Sequence, residues 1–299
     1  NTVILGKSIG NQIGFAIENA RLFQDAQRRA EIERLTGEIS TNFVSINPAE
    51  TDKGIYEALQ ALGEFTRVDR AYLFRFRQDG QVMDNTNEWC ASGISSHIAN
   101  LQNLPASTYP YVLKSLKRLG AFRTTRLADL PEEAAAEKEA FQRESIQSIT
   151  CVPLIQREAL IGFVGLDAVK EEHVWQDDEL NLLKIVGDIF VTALNRKETA
   201  QALEKSEADL RTLFSAMQDI VLVIDKDTRY VRIAPTNPSR LYRPSNELLG
   251  QRMDEILPAE THQPFQKAIR QALDTNEAVQ IEYSLPVGDQ VFWFLANIT

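Results

Sequence analysis

The sequence predicts an α+β protein of two domains, each with an antiparallel sheet and flanking helices, joined by a long helix. Three observations support this prediction. The chain has 299 residues, which is long for a single hydrophobic core. A helical run without proline extends from Trp175 to about Met217. On both sides of this run, short strand-like stretches occur in hairpin order beside amphipathic helices, as is typical of α+β folds.

The run from Trp175 to Met217 is predicted to be a connector helix. Gly187 is its only glycine, and its first half carries apolar residues on one face. Counting in sevens gives two rows of seam positions: Leu182, Ile189, Arg196, Leu203, Leu210, Met217, and Ile185, Thr192, Thr199, Ser206, Leu213. A seam that is apolar at its ends and polar in its middle packs weakly at its centre. We therefore expect a signal-carrying rod that pairs with a second copy of itself. A long surface helix of one domain is the alternative.

The composition limits the classes of function. The net charge of −10 and the lack of a basic stripe argue against a nucleic-acid or anionic-membrane surface. No apolar run has the length needed to span a bilayer. Cys90 and Cys151 lie far apart, which argues against a disulfide framework or a structural zinc site and favours a reducing cytoplasm. The chain begins without methionine and stops within strand-like sequence, so we expect a fragment of a larger protein.

Catalytic and metal-binding motifs are not recognised in the sequence. Gly6-Lys-Ser8 resembles the end of a phosphate-binding loop, but no glycine stands five residues earlier. The three histidines, His97, His173 and His262, have no second metal ligand at helical spacing and are interpreted as surface residues. We expect no metal site and no enzyme activity in this fragment.

Residues 1–33 are predicted to be the exit or linker helix of a preceding domain. The apolar face of this segment ends in a charged tail, as the connector does. Gly10 matches Gly187, and Ala16-Ile17 matches Ala193-Leu194. The simplest interpretation of this weak repeat is that the preceding domain is similar to the one that follows.

Residues 34–196 are predicted to form the first complete domain. Its elements are a helix over 55–65, a hairpin over 71–77 and 82–89, cross-over helices over 111–119 and 132–143, and a hairpin over 148–154 and 160–167. Several stretches resemble a GAF domain, namely Ile149-Thr-Cys-Val-Pro-Leu, Leu160-Ile-Gly-Phe-Val-Gly-Leu-Asp, Trp175-Gln-Asp-Asp-Glu-Leu and Asn87-Glu-Trp-Cys-Ala-Ser-Gly93. The resemblance implies a small-molecule pocket between the sheet and the cross-over helices, or a scaffold that supports a dimer. It also makes residues 1–33 the exit helix of a preceding GAF domain.

Residues 197–217 complete the connector, and residues 218–299 resemble a PAS domain whose last strand is cut short. The resemblance rests on Asp225, the Asn237 region, Glu247-Leu-Leu-Gly, the helix near Phe265, and Glu282-Tyr, Gly288 and Trp293. Such a domain has an antiparallel sheet with helices over one face, which implies a second candidate pocket.

Aromatic side chains with polar tips suit a mostly apolar pocket that orients its ligand with a few polar groups. The candidates in the GAF-like part are Phe74, Phe76, Trp89, Cys90, Tyr109, Tyr111, Phe122 and Ile149. The candidates in the PAS-like part are Leu222, Tyr242, Met253, Ile256, Phe265, Tyr283 and Trp293. The alternative is that each of these residues only fills a core.

The identity of any cofactor stays open, but three are disfavoured. The resemblance places a covalent bilin on a cysteine of the cross-over segment, and residues 141–148 contain none; Cys90 is a weaker candidate. A flavin adduct needs a cysteine within the stretch 236–242, which has none. Haem needs an axial histidine within the helix near Phe265, and His262 lies before Pro264, one turn early.

The resemblances imply the cytoplasmic sensory and relay region of a bacterial signalling protein, of the multi-sensor histidine kinase type. A small ligand or a partner would be sensed, and a parallel homodimer through residues 6–30 and 178–217 would carry the change to a C-terminal output domain. One alternative is a cyclic-nucleotide-binding regulatory region of a nucleotide cyclase, diguanylate cyclase or phosphodiesterase. Another is that both domains are empty spacers that hold the dimer geometry.

Overall fold

The structure is a computed structural model that describes residues 2–217, 219–234, 236, 241–287 and 290–299; for residues 2–16, 119, 286, 287 and 290 it describes the backbone alone. The Asn237 region and the Gly288 turn, which contributed to the PAS resemblance, lie outside the described residues. Contacts within the chain divide it into two units, Asn1–Ala200 and Gln201–Thr299.

The first unit contains a six-stranded antiparallel sheet and five helices, counted over the described residues. The helices are α1 (Thr2–Ser45), α2 (Thr51–Thr66), α3 (Pro110–Leu119), α4 (Ala135–Arg143) and α5 (Asp177–Ala216), of which α5 continues into the second unit. The strands are β1 (Arg70–Arg77), β2 (Val82–Cys90), β3 (Leu104–Pro105), β4 (Phe122–Thr124), β5 (Ser148–Gln156) and β6 (Ala159–Ala168). Their order in the sheet is β3-β2-β1-β6-β5-β4.

Both faces of this sheet are covered, so alternate residues of each strand belong to different layers. In β1, Ala71 and Leu73 belong to one hydrophobic cluster, while Tyr72 and Phe74 belong to another. Helices α1, α2 and α5 supply the first cluster, and α3, α4 and the chain around them supply the second. The sheet therefore separates a helical layer from a cross-over layer.

Trp89 lies in the helical layer, where its ring packs against α2. A Cβ atom built on Gly63 would lie 2.1 Å from Trp89 Cζ3, so glycine is needed for this close approach. Side chains of successive strand residues point to opposite faces, so Trp89 cannot share a pocket with its neighbour Cys90. The prediction that Trp89 faces the cross-over pocket was wrong for this reason.

Helices α1 and α5 lie side by side and run in the same direction. Arg28 of α1 donates from Nε to Asp178 Oδ2 at 2.5 Å, and its Nη2 donates to Glu179 Oε1 at 3.1 Å. Further along, Phe43 contacts Phe190 with their ring centroids 5.7 Å apart. Arg196 Nη1 donates to the Val44 carbonyl at 3.2 Å. Contacts at both ends with nearly the same offset along the sequence define a parallel pair.

The long helix predicted from Trp175 is confirmed, with α5 as one helix over Asp177–Ala216. Its first half is largely buried: Leu182, Val186 and Phe190 have no exposed surface. Ile185, which the helical spacing predicts on the same face, is 44% exposed. The apolar seam residues of its second half, Leu203, Leu210 and Leu213, are exposed.

The second unit contains two antiparallel strand pairs and three helices in its described residues. They are β7 (Leu222–Ile224), β8 (Tyr230–Ile233), α6 (Ser245–Leu248), α7 (Met253–Ile256), α8 (Ala259–Thr275), β9 (Val279–Val287) and β10 (Gln290–Ile298). Strand β7 pairs with β8, and β9 pairs with β10. Together with the first unit, these elements confirm the predicted α+β architecture. No helix among the described residues combines the length and apolarity that a membrane crossing requires.

Replacing Gly63 with alanine is expected to destabilise the first unit by about 1–3 kcal/mol, because the ring of Trp89, which is part of the buried cluster, would have to move away from the added methyl group. The measurement is urea unfolding followed by tryptophan fluorescence. Gly37→Ala is the matched control: Gly37 lies within α1 with no atom within 4 Å of the added carbon, so this change is expected to stabilise by about 0.5–1 kcal/mol. Equal effects of the two substitutions would contradict the described packing of Trp89.

Candidate functional site

A cavity lies between the sheet of the first unit and the cross-over layer. Together with the space at its mouth that is open to solvent, it measures about 440 Å³. The sheet contributes Arg70, Tyr72, Phe74, Asn85, Glu88, Ile149, Cys151, Phe163 and Asp167. The cross-over layer contributes Leu101, Tyr109, Val112, Phe141, Glu144 and Ile146. The lining is mostly apolar with a few polar groups, as in small-molecule sites.

Among the described residues of the lining, Arg70 is the only basic one, and only 2% of it is exposed. It is the first residue of β1, two positions from Tyr72, and therefore faces the cavity. Its Nη2 donates to the main-chain oxygen of Glu144 at 2.5 Å. Its Nη1 lies 3.7 Å from Glu144 Oε2 and 3.9 Å from Asp167 Oδ2. Its Nε is buried without a hydrogen-bond partner.

Asp167, near the end of β6, is held on the opposite side of Arg70. Its Oδ1 accepts a hydrogen bond from the Tyr72 hydroxyl at 2.9 Å. The Tyr72 ring lies over Gly165, where a Cβ atom would be 2.5 Å from the hydroxyl oxygen. Burial raises the pKa of the Asp167 carboxyl to about 8, although Arg70 opposes this effect. Asp167 is therefore mostly a neutral acid at pH 7.

Glu144 and Tyr109 form the opposite wall. The Tyr109 hydroxyl lies 3.5 Å from Glu144 Oε1, at the limit of a hydrogen bond. Burial raises the pKa of the Glu144 carboxyl, with Arg70 opposing. The Tyr109 ring stacks on Phe141 at 5.8 Å between centroids.

The remaining polar groups of the lining come from β2. Both carboxylate oxygens of Glu88 accept hydrogen bonds. Its Oε2 accepts from the His97 amide at 2.9 Å, and its Oε1 accepts from Asn85 Nδ2 at 3.2 Å. The Asn85 side-chain oxygen is buried without a partner. Buried polar groups are ordinarily hydrogen-bonded, so the unpartnered Asn85 Oδ1 and Arg70 Nε mark places where a bound molecule would be favoured.

Comparison with known proteins gives two family matches. The model of the GAF domain matches residues 51–194, and that of the PAS fold matches residues 214–299. The chain carries a GAF domain followed by a PAS domain. The cavity described above lies within the GAF domain, and both resemblances found in the sequence are confirmed.

One curated relative is the methanogenesis regulatory histidine kinase FilI of Methanothrix harundinacea, which is 28% identical over 60% of this chain. The match spans 21% of the length of that kinase. Among solved structures, the phycoerythrobilin-bound GAF domain of a cyanobacterial phytochrome is 15% identical, with 57% of this chain and 97% of that chain covered at a TM-score of 0.48. A bacteriophytochrome of R. palustris is 13% identical, with 63% of this chain and 44% of that chain covered at a TM-score of 0.49.

Three of the predicted GAF pocket residues line the cavity, namely Phe74, Tyr109 and Ile149. Three others lie in the same aromatic cluster beside it: Phe76, Tyr111 and Phe122. Cys90 is half-buried at the end of β2 and does not line the cavity, and Trp89 faces the helical layer. That these residues bind a ligand remains a prediction.

The sequence analysis did not identify the polar residues of the cavity, although the alternation of side chains along the strands indicates which of them share a face with the predicted pocket residues. Phe74 was assigned to the pocket, so Arg70 and Tyr72 of the same strand belong to the same face. Asp167 follows Phe163 by four residues and shares its face in the same way. Glu144 follows the last residue of α4, outside any strand or helix, and no periodicity predicts its position.

Burial raises the pKa of both thiols of the GAF domain, to about 12 for Cys90. The thiolate is the nucleophilic form of cysteine, so neither thiol is activated for attachment of a chromophore. The raised pKa values of the two thiols agree with the expectation that the GAF domain holds no covalent bilin, which stays a prediction.

In the PAS domain, two predicted pocket residues are buried in the core, Met253 and Phe265. Leu222, Tyr242, Ile256 and Tyr283 pack against that core. Trp293 is 76% exposed, contrary to the prediction. The reason is strand alternation: Phe294 stacks on Tyr283 at 5.3 Å between centroids, which turns Trp293 to the other face. The other six residues belong to or pack against the core of the PAS domain, and their role as a ligand site remains a prediction.

Among the described residues, no cluster of histidine, cysteine, aspartate and glutamate has the arrangement of a metal site. His173 instead lies 3.1 Å from Glu179 Oε2 and packs against Trp175, at 4.5 Å between ring centroids. His173 is thus a partly buried contact of the α5 N-terminus rather than the surface residue that the sequence predicts.

Raising the pH is expected to destabilise the GAF domain through Asp167. Its folded-state pKa of about 8 lies above the value of about 3.9 for an unfolded aspartate. The stability that the neutral acid contributes is complete below about pH 4 and is lost as the pH rises through about 8. Thermal unfolding midpoints should fall by several degrees between pH 6 and pH 9.

The Asp167→Asn variant should show a smaller fall over the same range, because its amide does not ionise. The matched control is Asp84→Asn, since Asp84 lies in the same sheet but pairs with Arg77, which lowers the pKa of its carboxyl. A pH profile of Asp167→Asn that coincides with that of the wild type would contradict the assignment of Asp167 as a buried neutral acid.

Proposed function

We propose that this chain is the sensory and relay region of a signal-transduction protein of the sensor histidine kinase type. A small molecule in the GAF cavity would be the signal, and α5 would carry the change toward an output domain. The observation that carries this proposal is the cavity itself, in which buried polar atoms of Arg70 and Asn85 lack partners. Such atoms are costly in an empty core and useful in a binding site.

The strand β6 gives a short physical path from the cavity to the connector. Asp167 lines the cavity, and α5 begins ten residues later at Asp177. The segment between them is anchored: Asp69 Oδ2 accepts hydrogen bonds from the amides of Val169 at 2.7 Å and Lys170 at 2.9 Å. Because this segment is held in place, we expect a displacement of β6 by a ligand to be transmitted to the first turn of α5.

The second half of α5 supports a dimeric relay. Leu203 and Leu210 of this half and Met217, the residue after its end, are seven residues apart, and each is at least 40% exposed. Apolar residues at this spacing bury themselves by pairing with a second helix. We propose a parallel homodimer through residues 6–30 and 178–217, located in the cytoplasm, with an output domain in the full-length protein. The kinase relative supports the type of output, and the interpretation of residues 1–33 as the exit helix of a preceding GAF domain belongs to the same proposal.

The cyclic-nucleotide alternative, a regulator of a nucleotide cyclase, diguanylate cyclase or phosphodiesterase, is less well supported by the site. A cyclic nucleotide would bring a phosphate charge into a lining with one basic and three acidic residues. Calorimetric titration with cyclic AMP and cyclic GMP distinguishes the two proposals directly, because saturable binding of either nucleotide would favour the alternative.

Filling the cavity is expected to abolish ligand occupancy. Ile149 lines the cavity from β5, so Ile149→Phe should remove a small molecule that co-purifies with the wild type. Ile155→Phe is the matched control, since Ile155 lies on the same strand and is 52% exposed. Native mass spectrometry of freshly purified protein measures the bound mass. Equal occupancy in the two variants would place the ligand elsewhere and remove the support for the cavity.

Charged residues in the seam are expected to weaken the dimer. Leu203→Glu with Leu210→Glu should raise the dissociation constant at least tenfold, since each buried leucine contributes roughly 1.5–3 kcal/mol. Gln201→Glu with Ala208→Glu is the matched control, because these positions lie opposite the seam in the heptad count. Sedimentation equilibrium measures both. A wild-type chain that stays monomeric at high concentration would overturn the proposed relay.

A further inference from the structure

The charges of the GAF cavity are unbalanced toward the acidic side. Its lining contains three carboxyl groups, Glu88, Glu144 and Asp167, and one guanidinium, that of Arg70. Glu88 uses both of its oxygens for hydrogen bonds with neighbouring main-chain and side-chain groups. Arg70 lies between the other two carboxyl groups at 3.7 and 3.9 Å, so it balances one of them at most. The cavity can therefore accommodate an additional positive charge.

The hydrogen-bonding capacity of the lining is also one-sided. Asn85 Oδ1 is a buried acceptor without a donor. Asp167 Oδ2 is too far from Arg70 for a hydrogen bond, and Glu144 Oε1 has only the long contact with Tyr109. Once Asp167 has released its proton, a single unpartnered donor, Arg70 Nε, stands against these acceptors. A ligand that satisfies the cavity in that state must bring more N–H groups than it brings acceptors.

The rest of the lining is apolar and aromatic. The rings of Phe74 and Phe163 stack at 4.8 Å between centroids, and those of Tyr109 and Phe141 stack at 5.8 Å. These surfaces suit an apolar body, and aromatic faces also attract a neighbouring cation. The acidic groups therefore suit the cationic end of a ligand, and the aromatic groups suit its apolar end.

We propose that the GAF cavity binds a small organic cation, a primary amine or amidine with an apolar body. Its N–H groups donate hydrogen bonds to the side-chain oxygens of Asp167, Glu144 and Asn85. This inference rests on the proposed function, since it names the chemical class of the signal. The apolar body lies against Phe74 and Tyr109. An anionic ligand is disfavoured because its charge would lie close to Glu144 in a region of low dielectric constant, and Arg70 is already shared between Glu144 and Asp167.

A matched set of probes tests the ligand class on the chain of residues 1–299. The probes are benzylamine and benzamidine as cations, benzyl alcohol as a neutral molecule of similar shape, and benzoate as an anion. Isothermal calorimetry at pH 7 should show saturable binding of the two cations, with benzyl alcohol bound at least tenfold more weakly and benzoate more weakly still. Shifts of the Tyr72 and Tyr109 ring signals in NMR spectra should locate the cations in the cavity.

Two variants test the assigned acceptors. Asp167→Asn and Glu144→Gln should each reduce the preference for benzylamine over benzyl alcohol at least fivefold, while the affinity for benzyl alcohol changes little. Asp84→Asn is the control, because Asp84 is equally a mostly buried aspartate of the sheet but does not line the cavity. Both variants retain the main-chain oxygen of Glu144 that accepts from Arg70, so this contact of the buried guanidinium is kept in each of them.

Proton release gives a readout in the wild-type protein. Asp167 is faced by Arg70 and Tyr72 of β1, Cys151 of β5, Glu144 after α4, and Glu88 of β2. Burial keeps its carboxyl mostly protonated at pH 7, so a cation that binds beside it displaces the proton. Calorimetry in two buffers of different ionisation enthalpy should show release of nearly one proton per benzylamine, and the affinity should rise from pH 7 to pH 8.

The outcomes separate this inference from the proposed function. Tighter binding of benzyl alcohol or benzoate than of benzylamine would overturn the ligand class and leave a sensory cavity in place. Benzylamine binding that is unchanged in both variants would overturn the assigned acceptors. If neither cation binds and Ile149→Phe changes no co-purified mass, the inference and the proposed function both fail.

Discussion

The cluster of the Arg70 guanidinium with the carboxyl groups of Glu144 and Asp167 is the interaction on which the cross-over side of the GAF domain depends. A buried guanidinium without partners would cost several kcal/mol, so the carboxyl groups must remain close to it. Glu144 comes from the chain after α4, and Asp167 comes from β6. Arg70 of β1 therefore adds polar contacts between the cross-over layer and the sheet to the apolar cluster that also joins them. The cavity lies beside these contacts.

The sheet turns this local arrangement into a link between two layers. Arg70 and Tyr72 face the cavity, while Ala71 and Leu73, which alternate with them, contact the helical layer. In β6, Asp167 faces the cavity and Leu166 is fully buried on the helical side. Packed interiors resist compression, so a shift of these strands on one face displaces side chains on the other. In the proposed mechanism, this coupling connects ligand binding to the packing of α5.

Much of the fold could be predicted from the sequence because it follows from short-range patterns. The hairpins and α5 have strong periodicities, and the family motifs lie in them. The missed features depend on tertiary structure. Arg70 is a charged residue at the start of a strand, and no local rule buries it until Glu144, seventy-four residues away, is placed beside it. Trp89 and Trp293 were assigned by residue type, whereas the face of a strand depends on its register.

Arg196 shows how the structure changes the interpretation of the connector. The heptad count treats it as a polar interruption of the seam, but its guanidinium donates to the carbonyl groups of Val44 and Ile46 at the end of α1. Its position is therefore explained by contacts within one chain. The part of α5 before Arg196 packs in its own domain, and the exposed leucines begin only at Leu203. In the proposed relay the two functions of α5 are separated along its length. In this proposal a ligand that shifts the first half acts on the second half through the same helix. The pairing of two chains can then change without repacking of the GAF core.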